Sequence, residues 1–383
     1  MSRAPMRNSD PKPTVAFILE QTLGHVTHAD NLRHLVPRDA RIDAEFCPIP
    51  YEVDGWAARL PGYSNWTVRA GIRARRAIRS VRADHDVRAL FIHTQVPSIL
   101  ATRWMKRIPT VVSIDATPLQ YDQFGAQYAH ERSGARIERL KWRLNRKAFA
   151  AAAHIVSWSQ WSKESLVRDY GVDADKVTVV APGVDIAKWS RPLGSSADAG
   201  PVRILFVGGD LERKGGSLLV EAVRRIRQNA PDSSSAAAVE LHLVTGANIA
   251  DEPGIHVHRG LRPNTPELIA RYHAADIFCL PTLGDCLPMV LSEAGAACLP
   301  LVATNVGALP EIVLDGRTGL IVEPGSVESL EAALARLIHD AGLRRAMGQN
   351  ASALVADKFD AAKNATTIVD TLVDTIGGVR DRR

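Results

Sequence analysis

From Thr14 onward, short apolar runs rich in β-branched residues alternate with longer stretches of helical periodicity, and the alternation starts again at Val202. Successive parallel strands need a crossover of a dozen or more residues. Each long gap here holds a helical pattern, so each series reads as a parallel sheet covered by helices. In the first series the expected strands are Thr14–Leu19, Arg88–His93, Thr110–Ile114, His154–Trp158 and Val177–Val180, with helices at Val68–Val81, Arg136–Ala153 and Trp161–Tyr170. In the second the expected strands are Val202–Val207, Val239–Val244, Ile255–His258, Asp276–Leu280, Leu299–Ala303 and Leu320–Val322. Its helices are expected at Gly215–Gln228, Thr265–Ala274, Met289–Ala297, Val327–His339 and Ala341–Asp357. Between the series, Arg191 to Pro201 is rich in Gly, Ser, Ala and Pro and has no periodicity, as an interdomain linker would. The reading is two doubly wound α/β domains, residues 1–192 and 202–360, joined by a linker at 193–201. A final segment, 361–383, carries a helix at Ala361–Ile376 that crosses back to brace the first domain. A length of 383 residues suffices for two such cores.

Composition narrows the class. With 46% hydrophobic and 23% charged residues the chain is globular, neither disordered nor fibrous. The four cysteines, Cys47, Cys279, Cys286 and Cys298, form no CxxC pair, which points to a reducing compartment and to no zinc site. Met1 to Pro13 is polar and no run of 18 apolar residues occurs, so neither a signal peptide nor a membrane span is expected, and the expected location is cytoplasmic. The net charge of +5 is unevenly spread: residues 1–193 hold 29 Lys and Arg against 19 Asp and Glu, the remainder 18 against 23. Two stretches of the first half, Arg69–Arg79 and Arg132–Lys147, read as basic amphipathic helices. They suit an anionic membrane surface, and hence a peripheral position at the cytoplasmic face, or a phosphorylated acceptor; a solvated helix face is the plainer alternative. No RNA or DNA motif accompanies the basic pI, so nucleic acid is not an expected partner.

On doubly wound sheets, ligands gather at the carboxyl ends of strands, where loops and helix starts present backbone N–H groups. The strand Val202–Val207 runs into Gly208-Gly209-Asp210-Leu211-Glu212-Arg213-Lys214-Gly215-Gly216, in which glycine pairs flank two adjacent cations. That loop lets a diphosphate approach the backbone while Arg213 and Lys214 neutralise it, although an ordinary βα turn with surface cations also fits. The strand Asp276–Leu280 leads to a loop holding Asp285 and then, through Leu287, Met289 and Val290, to a helix holding Glu293. The two carboxylates can face one ligand, Glu293 accepting from ribose hydroxyls and Asp285 from a sugar ring, with the helix start aimed at phosphates. A helix-start carboxylate complementing the macrodipole also explains Asp285 adequately. Glu293, between Leu291 and Ala294, needs a partner if buried.

Together these residues resemble the family 4 glycosyltransferases, retaining enzymes of the GT-B fold. The resemblance rests on Asp285 through Glu311, with Pro281-Thr282 before it and Thr304-Asn305-Val306-Gly307-Ala308-Leu309-Pro310-Glu311-Ile312-Val313 closing it, on Phe206 to Gly215, on the turn Pro182-Gly183-Val184-Asp185, and on Asp315 to Val322. It covers most of residues 150–360. It implies two Rossmann-like domains facing each other across a cleft, with the donor held mainly by the second. In the first domain Gly24 and His25 fall where the family has an acceptor-side loop, and Asp115 falls where many members have a histidine near the reacting sugar. Asp285 replaces the first family glutamate, Pro288 removes one backbone donor from the helix start, and Gly209 stands where many relatives have an arginine, whose charge Arg213 could take over.

The resemblance implies transfer of a hexose-like group from a nucleoside-diphosphate sugar to a hydroxyl acceptor, with retention, in cell-surface polysaccharide or glycolipid synthesis. Arg213, Lys214 and the helix start at Met289 are expected to stabilise the departing diphosphate, and Asp115 and His25 to orient the acceptor. No Asp-x-Asp pair sits in a suitable loop and no clustered histidine ligands are apparent, so neither a metal nor another cofactor is expected. Another GT-B-type enzyme, an epimerase or a phosphorylase, and a non-catalytic nucleotide-sugar binding protein are the alternatives. A dehydrogenase is disfavoured because a single glycine, Gly24, follows the first strand.

Overall fold

The computed structural model describes residues 12–22, 24–52, 63, 65–125, 134–192, 200–232 and 238–380, with Val379 and Arg380 described by backbone only. Most of the linker, with Leu23 and Arg132, lies outside the described residues.

The first sheet contains β1 (Thr14–Gln21), β2 (Asp43–Pro50), β3 (Val87–His93), β4 (Thr110–Ile114), β5 (His154–Ser157) and β6 (Val177–Val179), in the order β2-β1-β3-β4-β5-β6. Every pairing is parallel. Its helices are α1 (His25–Leu35), α2 (Trp66–Asp84), the short turns α3 (Gln95–Ser98) and α4 (Thr102–Met105), α5 (Pro118–Phe124), α6 (Ala135–Ala151), α7 (Gln160–Tyr170) and α8 (Ile186–Trp189). Strand β2 and helix α1 go beyond what the sequence pattern predicts. The β2 sequence, DAEFCPIP, mixes charges and prolines, which a strand at the sheet edge tolerates because one side of its backbone has no ladder to complete. Helix α1 starts at Gly24 with no side-chain cap, and Asp30, Asn31, Arg33 and His34 surround Leu32, so its apolar stripe is weak.

The second sheet holds β7 (Val202–Val207), β8 (Val239–Val244), β9 (Ile255–His258), β10 (Ile277–Leu280), β11 (Leu301–Thr304) and β12 (Gly319–Val322), in the order β12-β11-β10-β7-β8-β9. Helices α9 (Gly216–Gln228), α10 (Pro266–Ala274), α11 (Met289–Ala296), α12 (Val327–His339) and α13 (Ala341–Lys358) accompany it. Side chains of β7, β8, β10 and β11 are buried along much of their length, which is why these strands read as apolar runs. Pairing of β8 with β9 gathers His242, His256 and His258, which corrects the reading that no histidines cluster: neighbours in a sheet are far apart in sequence.

Helix α14 (Ala361–Arg380) packs on the first sheet, where Ile368, Val369, Leu372 and Ile376 join a core with Phe17, Leu19, Phe91 and Val111. The turn Pro182-Gly183 meets the start of this helix: Ala361 N–H donates to Val184 O at 3.0 Å, and a Cβ on Gly183 would stand 2.4 Å from the Ala361 nitrogen. The two domains are thus tied by backbone bonds that a side chain at 183 would break.

Candidate active site

A cleft of about 1750 Å³ runs between the two sheets and is lined from both. Many of its residues lie at or just beyond the carboxyl ends of strands, the position where parallel sheets present helix starts and free loop backbone.

One wall belongs to the second domain. After β7, the loop 208–215 folds on Asp210, whose side chain accepts from the Arg213 N–H at 3.1 Å and from Arg213 Nε at 3.2 Å. Gly215 ends it with φ +73°, and a Cβ there would fall 2.0 Å from Pro281 O, so only glycine seats the loop against the end of β10. Arg213 Nη1 donates to Gly284 O at 2.8 Å, linking this loop to the one that carries Asp285. Lys214 Nζ donates to Asp285 Oδ2 in a largely buried ion pair. Asp285 is held in turn from behind. Gly307, at φ +56°, leaves 2.2 Å between a would-be Cβ and Asp285 O, and Ala308 N–H donates to Cys286 O at 2.8 Å. The Thr304–Pro310 segment therefore sets the path of the backbone at 285 and 286.

Helix α11 begins beside this pair. Its N-cap is Pro288 and no side chain caps it, and Met289 and Val290 at this uncapped start line the cleft. Leu287, Gly208 and Gly209 line the same wall, and a Cβ on Gly209 would meet nothing within 4 Å. One turn into the helix, Glu293 is buried and accepts from the Tyr272 hydroxyl at 2.7 Å. That is the partner its apolar surroundings require. Burial pushes its carboxyl up to about 7.

The facing wall comes from the first domain. His25, the first residue of α1 after Gly24, lies 3.7 Å from Asp115 Oδ2 through Nε2, and its Nδ1 is 2.9 Å from His93 Nε2. His93 Nδ1 is 3.2 Å from Ser113 Oγ, which also accepts from Trp158 Nε1 at 3.2 Å, and the His93 and Trp158 rings stack with centroids 5.2 Å apart. Burial holds His93 well below the ordinary histidine range and keeps it neutral. Asp115 directly follows β4; its Oδ1 accepts from Ala116 N–H at 2.8 Å and its Oδ2 from the Tyr121 hydroxyl. Burial pushes the Cys286 thiol up, with Asp115 adding to the effect and the Tyr121 hydroxyl opposing it, so the two walls come close beside Asp285. Further along, Glu20 is buried and accepts from Thr22 at 2.8 Å, Trp66 at 3.1 Å and Thr94 at 2.5 Å.

All the residues singled out from the sequence line this cleft: Gly24, His25, Asp115, Gly208, Gly209, Arg213, Lys214, Asp285, Leu287, Met289, Val290 and Glu293. Glu20, His93, Tyr121, Trp158 and Tyr272 join the site through the structure alone. Glu20 was within reach of the strand-end rule, since β1 runs to Gln21 rather than stopping at Leu19. The others are recognisable by their partners, which come from other elements of the fold.

Residues 33–188 match the family model Glycosyltransferase Family 4, and residues 194–353 match Glycosyl transferases group 1. The chain belongs to the family 4 glycosyltransferases. Among the structures this chain resembles, sucrose-phosphate synthase from Thermosynechococcus elongatus has a TM-score of 0.76 at 15% identity, covering 96% of this chain and 100% of that one. The Anabaena protein HepE, in complex with UDP-glucose, has a TM-score of 0.65 at 17% identity, covering 94% and 99%. These likenesses are of fold and give this chain the GT-B architecture. In sequence it is 31% identical over 214 residues to a D-inositol 3-phosphate glycosyltransferase of Pseudarthrobacter chlorophenolicus, covering 52% of this chain and 51% of that protein. It is 35% identical over 210 residues to one of Corynebacterium efficiens, covering 49% and 48%. The chain spans about half the length of these curated relatives.

Proposed function

We propose that this glycosyltransferase moves a sugar from a nucleoside-diphosphate sugar to a hydroxyl acceptor, with retention at the anomeric carbon. The observation that carries the reading is the Lys214–Asp285 ion pair set beside the uncapped start of α11, with the His25–Asp115 pair on the opposite wall. A diphosphate laid against Gly208 and Gly209 would meet the Lys214 ammonium and the positive helix end where its charge grows as the sugar leaves. Asp285 would accept from a sugar hydroxyl and Glu293 from the ribose. Arg213, bonded to Asp210 and Gly284, would act through the loop it holds as well as by its charge. In this arrangement protein cations do the work of a metal, and the reaction would proceed in a chelator. HepE, in its structures with UDP and UDP-glucose, provides a precedent for such a ligand on this fold.

For the acceptor, the reading is a glycan or lipid-linked hydroxyl at an anionic membrane surface on the cytoplasmic side. No helix among the described residues is long and apolar enough to cross a membrane. Helix α6 supports attachment at the surface instead: Ile137, Leu140 and Leu144 are exposed at 53%, 56% and 39%, spaced along one stripe, with Arg136, Arg139, Arg143 and Lys147 exposed around them. Ile137 and Leu144 also line the cleft, which would place its mouth at the bilayer. Helix α2 supports it less, because Arg69 is buried, donating to Tyr51 O and Tyr63 O and lying 5.2 Å from the Trp66 ring.

The test of the donor reading is a thermal-shift series with UDP-, GDP-, ADP- and dTDP-sugars in EDTA. A ligand at about 100 times its dissociation constant adds roughly 2.7 kcal/mol of stability. One nucleotide is expected to raise the melting point in the wild type and to lose that effect in Lys214→Ala. No response to any of them would overturn the reading. Flotation with anionic and neutral liposomes tests the acceptor side: preference for anionic vesicles, weakened in Leu140→Gln, is expected, and equal behaviour counts against it.

A further inference from the structure

We propose that the outer strand pair of the second sheet carries a site for one divalent transition-metal ion of the zinc class, formed by Glu240, His242 and His256 and separate from the transfer chemistry. The register places His242 beside His256 and Val244 beside His258, and Glu240 lies two residues before His242. With a side-chain period of two, all four polar side chains rise on the same face. The ligand atoms of Glu240, His242 and His256 lie within 4.8 Å of one another, and all three residues are half-buried, so an ion can reach them. His242 Nε2 is 3.4 Å from Glu240 Oε2. Two ligands each about 2.1 Å from a tetrahedral zinc stand about 3.4 Å apart, so this edge of the site has its bound dimension without the ion.

The neighbouring histidine completes the arrangement. His242 Nδ1 is 3.1 Å from His258 Nε2, with the rings stacked at 1° and centroids 5.4 Å apart. A bond donated from Nδ1 to His258 leaves the lone pair of His242 on Nε2, on the Glu240 side, which is how an outer hydrogen bond fixes the tautomer of a metal ligand. Two cations oppose the ion. Arg203 Nε lies 3.5 Å from the same Glu240 oxygen, and Arg271 adds positive potential at His242 and His258. Asp251 acts in the other direction at His258. Both cations would weaken the hold on the ion. β9 is the edge strand, paired on one side alone, and its last residue, His258, lines the cleft. An ion bridging β8 and β9 would pin that edge and the part of the cleft wall it carries.

The test is a Co²⁺ titration of the tag-free full chain, after EDTA treatment and removal of the chelator, read by visible d–d absorption. The wild type is expected to take up one equivalent, with no thiolate charge-transfer band. His242→Ala and His256→Ala should each weaken binding by about tenfold or more. Arg203→Gln, which removes the competing cation and no ligand, should tighten it, and His85→Ala, at an exposed histidine of the first domain, should leave it unchanged. Wild-type affinity in a His242→Ala/His256→Ala double variant with an unchanged circular dichroism spectrum would overturn the proposal. A thiolate band would do so too, by assigning the ion to a cysteine. Should the histidine variants fail to fold, the Arg203→Gln titration decides: unchanged or weaker binding rules out Glu240 as a ligand.

Discussion

The two walls of the cleft are built on different principles. The second-domain wall is shaped by backbone: a glycine loop seated by Gly215, a helix start without a cap, and a carboxylate whose main chain is braced by Gly307. The residues proposed to hold the donor fall in two short windows, 208–216 and 281–293. The first-domain wall is shaped by side chains bonded to side chains, with Glu20, His25, His93, Asp115 and Trp158 arriving from or just beyond four different strands. A backbone surface suits a ligand part that does not vary, such as a diphosphate. A side-chain network can be altered one residue at a time, as a wall that selects among acceptors would need.

The comparison predicts that damage to the two walls separates binding from turnover. The largest effect is expected on the second-domain wall, where Asp285→Ala should cut turnover by about a hundredfold, the usual scale for losing one group that meets the reacting charge or sugar. Lys214→Ala should do the same and also abolish the nucleotide-induced thermal shift. His25→Ala, on the facing wall, should lower kcat by ~10-fold through a misplaced acceptor and leave the thermal shift intact. If His25→Ala removed the shift, or Asp285→Ala kept full activity, the division between the walls would fail.

Glu293 sharpens the comparison through pH, because its carboxyl is raised by burial from 4.5 to about 7. Below about pH 4.5 the folded and unfolded states both hold the proton. Between there and pH 7 the unfolded chain releases it and the folded chain does not, so stability falls as pH rises through this window and levels off above it. At ~1.4 kcal/mol per pH unit the shift corresponds to about 3 kcal/mol. Glu293→Gln, which cannot ionise, should flatten that part of the stability curve, measured by urea unfolding at successive pH values. Nucleotide affinity should change the other way in the wild type, rising as pH passes 7, because a ribose hydroxyl donates best to the ionised carboxylate.

The same contrast explains what was legible in the sequence. The alternation of apolar runs and helical periods identified most strands, since buried parallel strands such as Val111 to Ile114 and Leu301 to Ala303 have no polar face to disguise them. The edge strand β2 escaped because its sequence answers to solvent on one side. Lys214, Asp285 and Glu293 were legible because glycines, a strand end and a helix start bracket them within a few residues. His93 and Trp158 read as ordinary members of apolar strands, and their function in the wall comes from a bond to Ser113 on the strand between them. His242 and His256 met the same fate for the same reason: pairing across a sheet is a tertiary fact.

The smallest expected effect tests whether the walls are also coupled mechanically. Glu311, in the signature segment of the second domain, reaches the first, where its two carboxylate oxygens accept from Gln160 N–H at 2.9 Å and Trp161 N–H at 2.8 Å. Ser159 caps the same helix by accepting from Ser162 N–H at 3.0 Å, so three of the four unpaired donors at the start of α7 are satisfied, two of them across the domain boundary. A carboxylate at a helix start also meets the positive end of its dipole. Glu311→Ala should therefore cost about 1 kcal/mol, the usual scale of a lost cap, with the nucleotide-induced shift retained. Glu311→Gln keeps one acceptor and should recover part of the loss. If Glu311→Ala instead reduced turnover as far as Asp285→Ala does while unfolding at the wild-type denaturant concentration, the contact would be holding the walls in register for transfer rather than stabilising α7, and the two walls would have to be treated as one site.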